Sequence, residues 1–311
     1  MNQNYKLLFE KIESSLMQNL NIPSEVFIKR IQPFNDTKNW DFRNRTNKNI
    51  FWVLSYITFF GQNDPAHLIE GQFNNIYREL CSGPEDNWIE WEVDFDSLSN
   101  LSVQEKNRLI TERLKFGRWG SIKGTDFSGS NITGMNRYLK WIIENASQFS
   151  CLVQSHNNSF GEYVGRLARL QDLKQIDLSE YDSKNPIVMT LHRDLKKRFS
   201  GFGDRTTYHF LGDLGFNVNK PDTVVCRILY RLGLIDSEAD IENALIQVQK
   251  FANQTGNIGR YIDVILVKFG QKGNSPLLGT KNGICLDDPN CSKCMLTPYC
   301  KYYQIRGGRQ V

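Results

Sequence analysis

The sequence lacks any apolar run close to the ~20 residues that a membrane-spanning helix needs. Its start, MNQNYKLLFEKIESS, lacks the basic-then-apolar pattern of a signal peptide, so we expect no export and a cytoplasmic location. Internal repeats and low-complexity tracts are also missing, and the composition excludes a disordered, collagenous or coiled-coil chain. The few histidines show no spacing typical of metal ligands: His67, His156, His192 and His209.

The chain has 311 residues, 40% of them hydrophobic, which suffices for one large domain or two ordinary ones with a real core. Its net charge of +4 permits an acidic partner without requiring one. Its seven cysteines are unevenly distributed. Three lie far apart, at Cys81, Cys151 and Cys226, whereas four share one C-terminal segment: Cys285, Cys291, Cys294 and Cys300. In a chain that is not exported, such clustering indicates metal binding rather than disulfides.

The spacing of apolar residues predicts a mostly helical chain of the all-α class. Predicted helices cover 49–60, 66–81, 135–147, 160–171, 186–199, 205–215, 223–233, 239–253 and 257–269. The best candidate for a strand is VDFDSLS at 93–99, and the Gly- and Ser-rich segment 118–134 is predicted to be a long loop. Residues 85–105 carry seven acidic side chains and no Lys or Arg, so we expect a surface element turned away from any nucleic acid.

A short glycine-containing turn is predicted between the helices 186–199 and 205–215. In Ser200-Gly201-Phe202-Gly203, the glycines allow a tight turn and Phe202 is expected to pack inward. Amides at the start of the following helix suit a phosphate oxygen. Residues 193–205 also hold five basic and two acidic side chains, a balance that favours a nucleic-acid backbone. Taken alone, the G-x-G pattern equally describes a plain turn with a solvated basic face.

The residues that follow this turn make the pattern more specific. The chain has FSGFGDRTT at 199–207 and then PDTVVCRILYRLG at 221–233. Together they resemble the helix-hairpin-helix superfamily of DNA glycosylases, which contains endonuclease III and adenine-mismatch glycosylases. That family's patterns are L-P-G-V-G-x-K-T-A and V-D-T-H-V-x-R followed by R-L-G. The resemblance covers about 186–303 well and 49–81 loosely, and it leaves about 82–185 poorly explained.

The resemblance implies a helical fold with two subdomains that binds double-stranded DNA and extrudes the target nucleotide. It places backbone contacts at Lys197, Gly201, Phe202, Gly203, Arg205 and Thr206. We expect N-terminal helices in 1–48 that pack with the C-terminal cluster domain 256–311, and a helical domain 49–255 with an insertion at about 82–185. No membrane or protein partner is indicated, and we expect a monomer.

The four clustered cysteines are spaced C-x5-C-x2-C-x5-C. Endonuclease III-like enzymes have one residue more in the first gap and bind a [4Fe–4S] cluster there, so the resemblance implies the same cofactor. Four thiolates at these spacings also suit a structural zinc ion, and zinc stays the alternative. Either metal would be structural, because four thiolates leave no open coordination position. The loop 286–290 is acidic here, where relatives often carry basic residues.

Asp222 is the candidate catalytic residue. Cleavage of an N-glycosidic bond passes through an oxocarbenium-like sugar, which a nearby carboxylate stabilises, and the same carboxylate can orient the attacking water. Pro-Asp-Thr before an apolar helix is also an ordinary N-cap, and the two roles are compatible. Arg205 stands where bifunctional relatives place a lysine, and a guanidinium cannot form a Schiff base. We therefore expect a monofunctional enzyme, with Lys220, more simply a solvated loop lysine, as the alternative lyase residue.

Residues that read the base are less distinct in the sequence. Gln62 and Asn63 lie near where relatives place a side chain that fills the duplex, and Trp40 begins the aromatic-basic cluster WDFRNR. Each is more simply a loop residue or a helix anchor. Two rival functions stay open: a non-catalytic DNA-binding protein with the same hairpin, and an enzyme acting on bulky modified bases of viral DNA.

Overall fold

The computed structural model describes residues 4–36, 38, 40–60, 80–83, 90–113, 123–133, 135–169, 173, 176–275 and 280–306. Helices dominate this part of the chain, as predicted. They are α1 Tyr5–Leu20, α2 Ser24–Ile31, α3 Asn47–Phe60, α4 Phe95–Asn100, α5 Val103–Arg108, α6 Met135–Gln154, α7 Phe160–Ala168, α8 Pro186–Arg198, α9 Asp204–Asp213, α10 Thr223–Leu232, α11 Ile241–Thr255, α12 Gly259–Gly270 and α13 Lys301–Ile305.

The strands are short and pair only with their neighbours in sequence. Three two-stranded antiparallel sheets are described. They join β1 Cys81–Ser82 to β2 Glu92–Val93, β3 Lys123–Thr125 to β4 Asn131–Thr133, and β5 Lys272–Ser275 to β6 Thr280–Asn282. The predicted helix 66–81 lies outside the described residues, apart from its last two positions.

The chain divides into two compact units. Unit 1 consists of Met1–Asp41, Asp177–Val188 and Leu211–Val311, and unit 2 consists of Phe42–Ile176 and Met189–Phe210. Helices α8 and α9 are each divided between the units.

Unit 1 is built around α1, α10, α11 and α12, which pack against one another. Their apolar faces form one core that includes Phe9, Ile12, Leu229, Phe251 and Ile265. The C-terminal cysteine segment belongs to this unit, and it contributes Ile284 and Leu296 to the same core. A hydrogen bond from the Met295 amide to the Ser15 hydroxyl (2.9 Å) links that segment to α1.

Unit 2 has an aromatic core around α3, α4 and α6. The ring of Phe95 lies 5.6 Å from that of Phe51 and 5.0 Å from that of Phe149, and Trp91 lies 5.1 Å from Trp52. Phe95 and Trp91 come from the acidic segment 85–105. The described part of this segment therefore packs its apolar side chains inward while acidic ones such as Asp96 are exposed, so it contributes to the core as well as to the surface.

Two local predictions were wrong. The expected strand at 93–99 is a strand only at its first residue and then becomes α4, because the Asp94 carboxylate caps the helix by accepting the Ser97 hydroxyl (2.7 Å) and amide (3.5 Å). The predicted loop 118–134 contains the β3–β4 hairpin. Its turn is closed by Asp126, whose carboxylate accepts the amides of Ser128 and Ser130, each at 2.8 Å.

Within the residues described, no helix combines the length and the apolar character that a membrane crossing needs.

Candidate functional site

The turn between α8 and α9 is fixed by a buried amide in unit 2. The Asn145 side chain accepts the Ser200 amide (2.7 Å) and donates to the Ser200 carbonyl (3.0 Å), so it satisfies both backbone groups at the start of the turn. Gly201 follows with φ of 82°, in the left-handed region that favours glycine. A Cβ at this position would lie only 2.7 Å from Cε3 of Trp141. Both the backbone conformation and the close ring therefore require glycine at 201.

Gly203, the second glycine of the turn, has free space where a Cβ would lie, whereas Gly201 does not. Phe202 packs inward as predicted, with its ring 5.5 Å from Phe199 and 5.6 Å from Phe210. A Cβ on Gly203 would meet none of the described atoms within 4 Å, and the Gly203 carbonyl accepts the Thr207 amide (2.9 Å) at the start of α9. Since the first amides of a helix have no partner within it, this end of α9 can donate to an anion.

Part of the hairpin's positive charge is neutralised within the hairpin. Lys196 pairs with Asp204 (2.7 Å), and Arg198 pairs with Asp194 (3.1 Å). Three basic side chains form no ion pair with any described residue: Arg193, Lys197 and Arg205. These three are the charges available to a phosphate backbone.

Two of the predicted backbone-binding residues are less open than their neighbours. Thr206 is 6% exposed, so it offers little surface to a ligand. Arg205 is half-buried, and its Nε has no hydrogen-bond partner in the described part of the chain. Leaving a buried guanidinium N–H without an acceptor is unfavourable, and a phosphate oxygen could act as that acceptor.

Asp222 lies in unit 1 at the start of α10, where it is the N-cap that its sequence predicts. Oδ1 accepts the Val225 amide (2.9 Å), and Oδ2 lies 3.8 Å from Nζ of Lys220. The side chains of Asp222 and Lys220 are 16% and 19% exposed. Lys220 is therefore a mostly buried partner of Asp222, and the expectation that it is a solvated loop lysine was wrong.

Three further charged side chains of unit 1 form a buried network. Arg260 places Nε 2.8 Å from Oδ1 of Asp213 and donates from Nη1 to Oδ2 of Asp263 (3.0 Å). Asp263 is 2% exposed, and its Oδ1 accepts no hydrogen bond from the described residues. Burial raises the pKa of the Asp263 carboxyl, Arg260 opposes this shift, and the negative charge of Asp222 adds to it. Asp263 thus interacts electrostatically with the candidate catalytic carboxylate.

The four clustered cysteines line one surface concavity, together with Arg231 and Tyr302. Burial raises the pKa of all four thiols, to about 12 for Cys294. Among the described residues, no three His, Cys, Asp or Glu side chains are arranged so that they could hold a metal ion. The donor set is that of a thiolate-bound metal, and binding one would require the thiols to lose their protons.

A buried arginine connects α10 to this cysteine segment. Arg231 donates to Sγ of Cys285 (3.4 Å), to the Asp287 carbonyl (2.8 Å) and to the Leu286 carbonyl. Its guanidinium carbon lies 4.7 Å from the centre of the Tyr302 ring. Cys285 is therefore held to α10, the helix that Asp222 caps.

The candidate base-reading residues receive no structural support. Trp40 is 2% exposed in unit 1, where its ring stacks on Phe34 (5.5 Å) and lies 5.6 Å from the Arg260 guanidinium carbon. A ring enclosed in this way has no open face for a base. Gln62 and Asn63 lie outside the described residues.

Asp213, Arg260 and Asp263 were missed by the sequence analysis. The signal that could have found Arg260 and Asp263 is the sequence of α12, GRYIDVILVKFG, in which an Arg and an Asp three residues apart lie in the first half of a mostly apolar helix. A charged residue on a buried helix face needs a partner, and such groups often belong to functional sites.

No family model, curated protein or solved structure matches this chain. The family resemblance therefore rests on the hairpin, the aspartate and the cysteine spacing alone.

Proposed function

We propose that this chain is a cytoplasmic, monofunctional DNA glycosylase of the helix-hairpin-helix type, which hydrolyses the N-glycosidic bond of a damaged or modified base in double-stranded DNA. The observation that carries the proposal is the setting of Asp222. Its carboxylate is held by a backbone amide and lies beside Lys220, in a mostly buried position on the helix that follows the hairpin. A fixed, partly desolvated carboxylate suits the stabilisation of an oxocarbenium-like sugar.

The hairpin has the features that backbone binding requires. Gly203 leaves the start of α9 open, and Lys197 and Arg205 have no ion pair within the described chain. In this proposal these groups hold the DNA backbone while the target nucleotide is extruded. Arg205 contacts phosphate and forms no covalent intermediate, so the product is an abasic site.

The C-terminal cysteines serve a structural cofactor in this proposal. Cys285, Cys291, Cys294 and Cys300 would bind a [4Fe–4S] cluster, with zinc as the alternative. The cofactor supplies no step of the reaction. Its role is to order a segment that Arg231 and Met295 already tie to α10 and α1.

The test incubates purified protein with a panel of duplexes and identifies released bases by mass spectrometry. The panel contains oxidised, alkylated and deaminated bases together with bulky hypermodified ones, so it also tests activity on modified viral DNA. We expect release of a base by the wild type and by Asp236→Asn, an exposed control, and none by Asp222→Asn. Strand breaks that appear without alkali treatment would contradict the monofunctional mechanism.

A non-catalytic DNA-binding protein is the second candidate. It is favoured by the N-cap itself, because an aspartate that caps a helix needs no catalytic role to explain it. Duplex binding by the wild type without release of any base in the panel is the result that this alternative predicts.

A further inference from the structure

Asp204 is an acidic residue at the place where the proposed function requires the backbone of DNA to bind. It is the first residue of α9, so its carboxylate lies in the first turn of the helix whose first amides can donate to an anion. A negative charge in this turn is stabilised by the helix dipole, and a phosphate group would be stabilised in the same way. The carboxylate and a phosphate therefore compete for one end of the helix.

The carboxylate of Asp204 also holds one of the basic side chains of the hairpin. Nζ of Lys196 lies 2.7 Å from Oδ1 of Asp204, and the two side chains are 44% and 45% exposed. Because both lie at the surface, a ligand can approach either charge. The pair as a whole is neutral, so it adds no net charge to the surface that would meet a phosphate.

A neighbouring histidine leaves this pairing to Lys196. Nε2 of His192 donates to the Asp204 carbonyl (3.3 Å) and lies 3.6 Å from Oδ1 of Asp204, while its ring stacks on Tyr208 with the centroids 4.1 Å apart. Burial lowers the pKa of His192, so the imidazole is neutral at about pH 7 and supplies no positive charge. Among the described residues, Lys196 is then the cation that pairs with Asp204.

The other acidic residue of the hairpin serves internal packing instead. Asp194 pairs with Arg198 one turn along α8 (3.1 Å) and also accepts the hydroxyl of the buried Tyr163 (2.7 Å). Within the described part of the chain, the carboxylate of Asp204 accepts a hydrogen bond from Lys196 alone. The charge of Asp204 therefore acts at the surface of the hairpin.

We propose that Asp204 is an internal competitor of the DNA backbone, which occupies Lys196 and the start of α9 and so limits the affinity of the hairpin for duplex DNA. This role rests on the proposed function, because it concerns the same hairpin. Removal of the carboxylate frees Lys196 for one additional phosphate contact. An exposed ion pair contributes little to stability, so its loss leaves the hairpin folded.

The dependence of affinity on salt measures this effect, because each phosphate neutralised by a lysine adds about one to the slope of log affinity against log salt concentration. Asp204→Asn should bind a duplex of unmodified DNA roughly 3- to 10-fold tighter, with a slope steeper by about one. Lys196→Met combined with Asp204→Asn exchanges one neutral pair for another, so the wild-type slope should return. Asp236→Asn, an exposed control outside the hairpin, changes the net charge equally and should change neither quantity.

The experiment measures the fluorescence anisotropy of a labelled duplex of unmodified DNA, at KCl concentrations between about 50 and about 200 mM, for the wild type and these variants. An unchanged slope in Asp204→Asn overturns the proposal. A double variant whose slope is about one below that of the wild type also overturns it, because Lys196 would then contact phosphate in spite of Asp204. Urea unfolding shows that each variant compared is folded.

A second measurement needs no DNA. NMR follows the ring signals of His192 against pH, since its Nε2 lies 3.6 Å from the Asp204 carboxylate. The pKa of His192 should fall in Asp204→Asn and rise in Lys196→Met, because Asp204 raises this pKa and Lys196 lowers it. Unchanged midpoints overturn the proposal. If the wild type binds no duplex, the proposed function fails and this role fails with it. If the wild type binds and Asp204→Asn has the same affinity and slope, only the role of Asp204 fails.

Discussion

Substitution of the two hairpin glycines should separate the stability of the turn from its contact with DNA. In Gly201→Ala, the left-handed backbone costs about 1–2 kcal/mol for a residue with a Cβ. The added methyl group would lie 2.7 Å from Cε3 of Trp141, a rigid ring, and such overpacking costs about 1–3 kcal/mol. We therefore expect the free energy of unfolding to fall by roughly 2–5 kcal/mol.

Gly203→Ala is the matched control, because the same methyl group meets none of the described atoms within 4 Å. Its stability should change by less than about 1 kcal/mol. Its affinity for duplex DNA should nevertheless fall, since the methyl group occupies the open side on which the first amides of α9 can reach a phosphate. Urea unfolding and fluorescence anisotropy with a labelled duplex measure the two effects. Equal unfolding midpoints for the two variants would refute the account of Gly201, and unchanged affinity in Gly203→Ala would refute that of the amides.

Three further predictions test other parts of the structure. Cys294→Ser should abolish bound iron and the broad absorbance at about 410 nm that an iron–sulfur cluster gives, whereas Cys151→Ser, which does not line the concavity, should retain both. Asn145→Ala removes two hydrogen bonds to the hairpin backbone, so urea unfolding should show a loss of about 1–3 kcal/mol. Burial raises the pKa of Glu13, so its contribution to stability is lost as pH rises through that raised pKa. Glu13→Gln still accepts a hydrogen bond from Tyr261 and should flatten this loss in unfolding measured against pH.

Local sequence signals predicted most of the longer described helices, although α6 runs seven residues beyond its predicted end and α4 and α5 were not predicted. Pro-Asp-Thr before an apolar run predicted the cap that Asp222 forms, because capping depends on residues three positions apart. The inward packing of Phe202 followed from the alternation of glycine and an apolar residue. Helix capping also explains why the predicted strand at 93–99 was wrong. The alternation of apolar residues was given more weight than Asp94, which caps a helix.

Contacts between distant parts of the chain could not be predicted from one sequence. The partners of Asp263 lie on three segments, and only Arg260 is close to it in the chain. The burial of Lys220 likewise depends on the packing of unit 1 and not on its neighbours in sequence. For Trp40 the local pattern was misleading. An aromatic-basic cluster that suggested contact with a base instead packs inside unit 1.

In the proposed function, Asp222 performs chemistry on DNA in addition to capping α10. The most direct test compares base release by the wild type and Asp222→Asn, because asparagine is as good an N-cap as aspartate and leaves the helix intact. We predict that the variant stays folded but is less stable than the wild type, because Lys220 loses its partner. It should keep its affinity for the duplex and release no base detectable by mass spectrometry. Base release by Asp222→Asn at the wild-type rate would contradict the account.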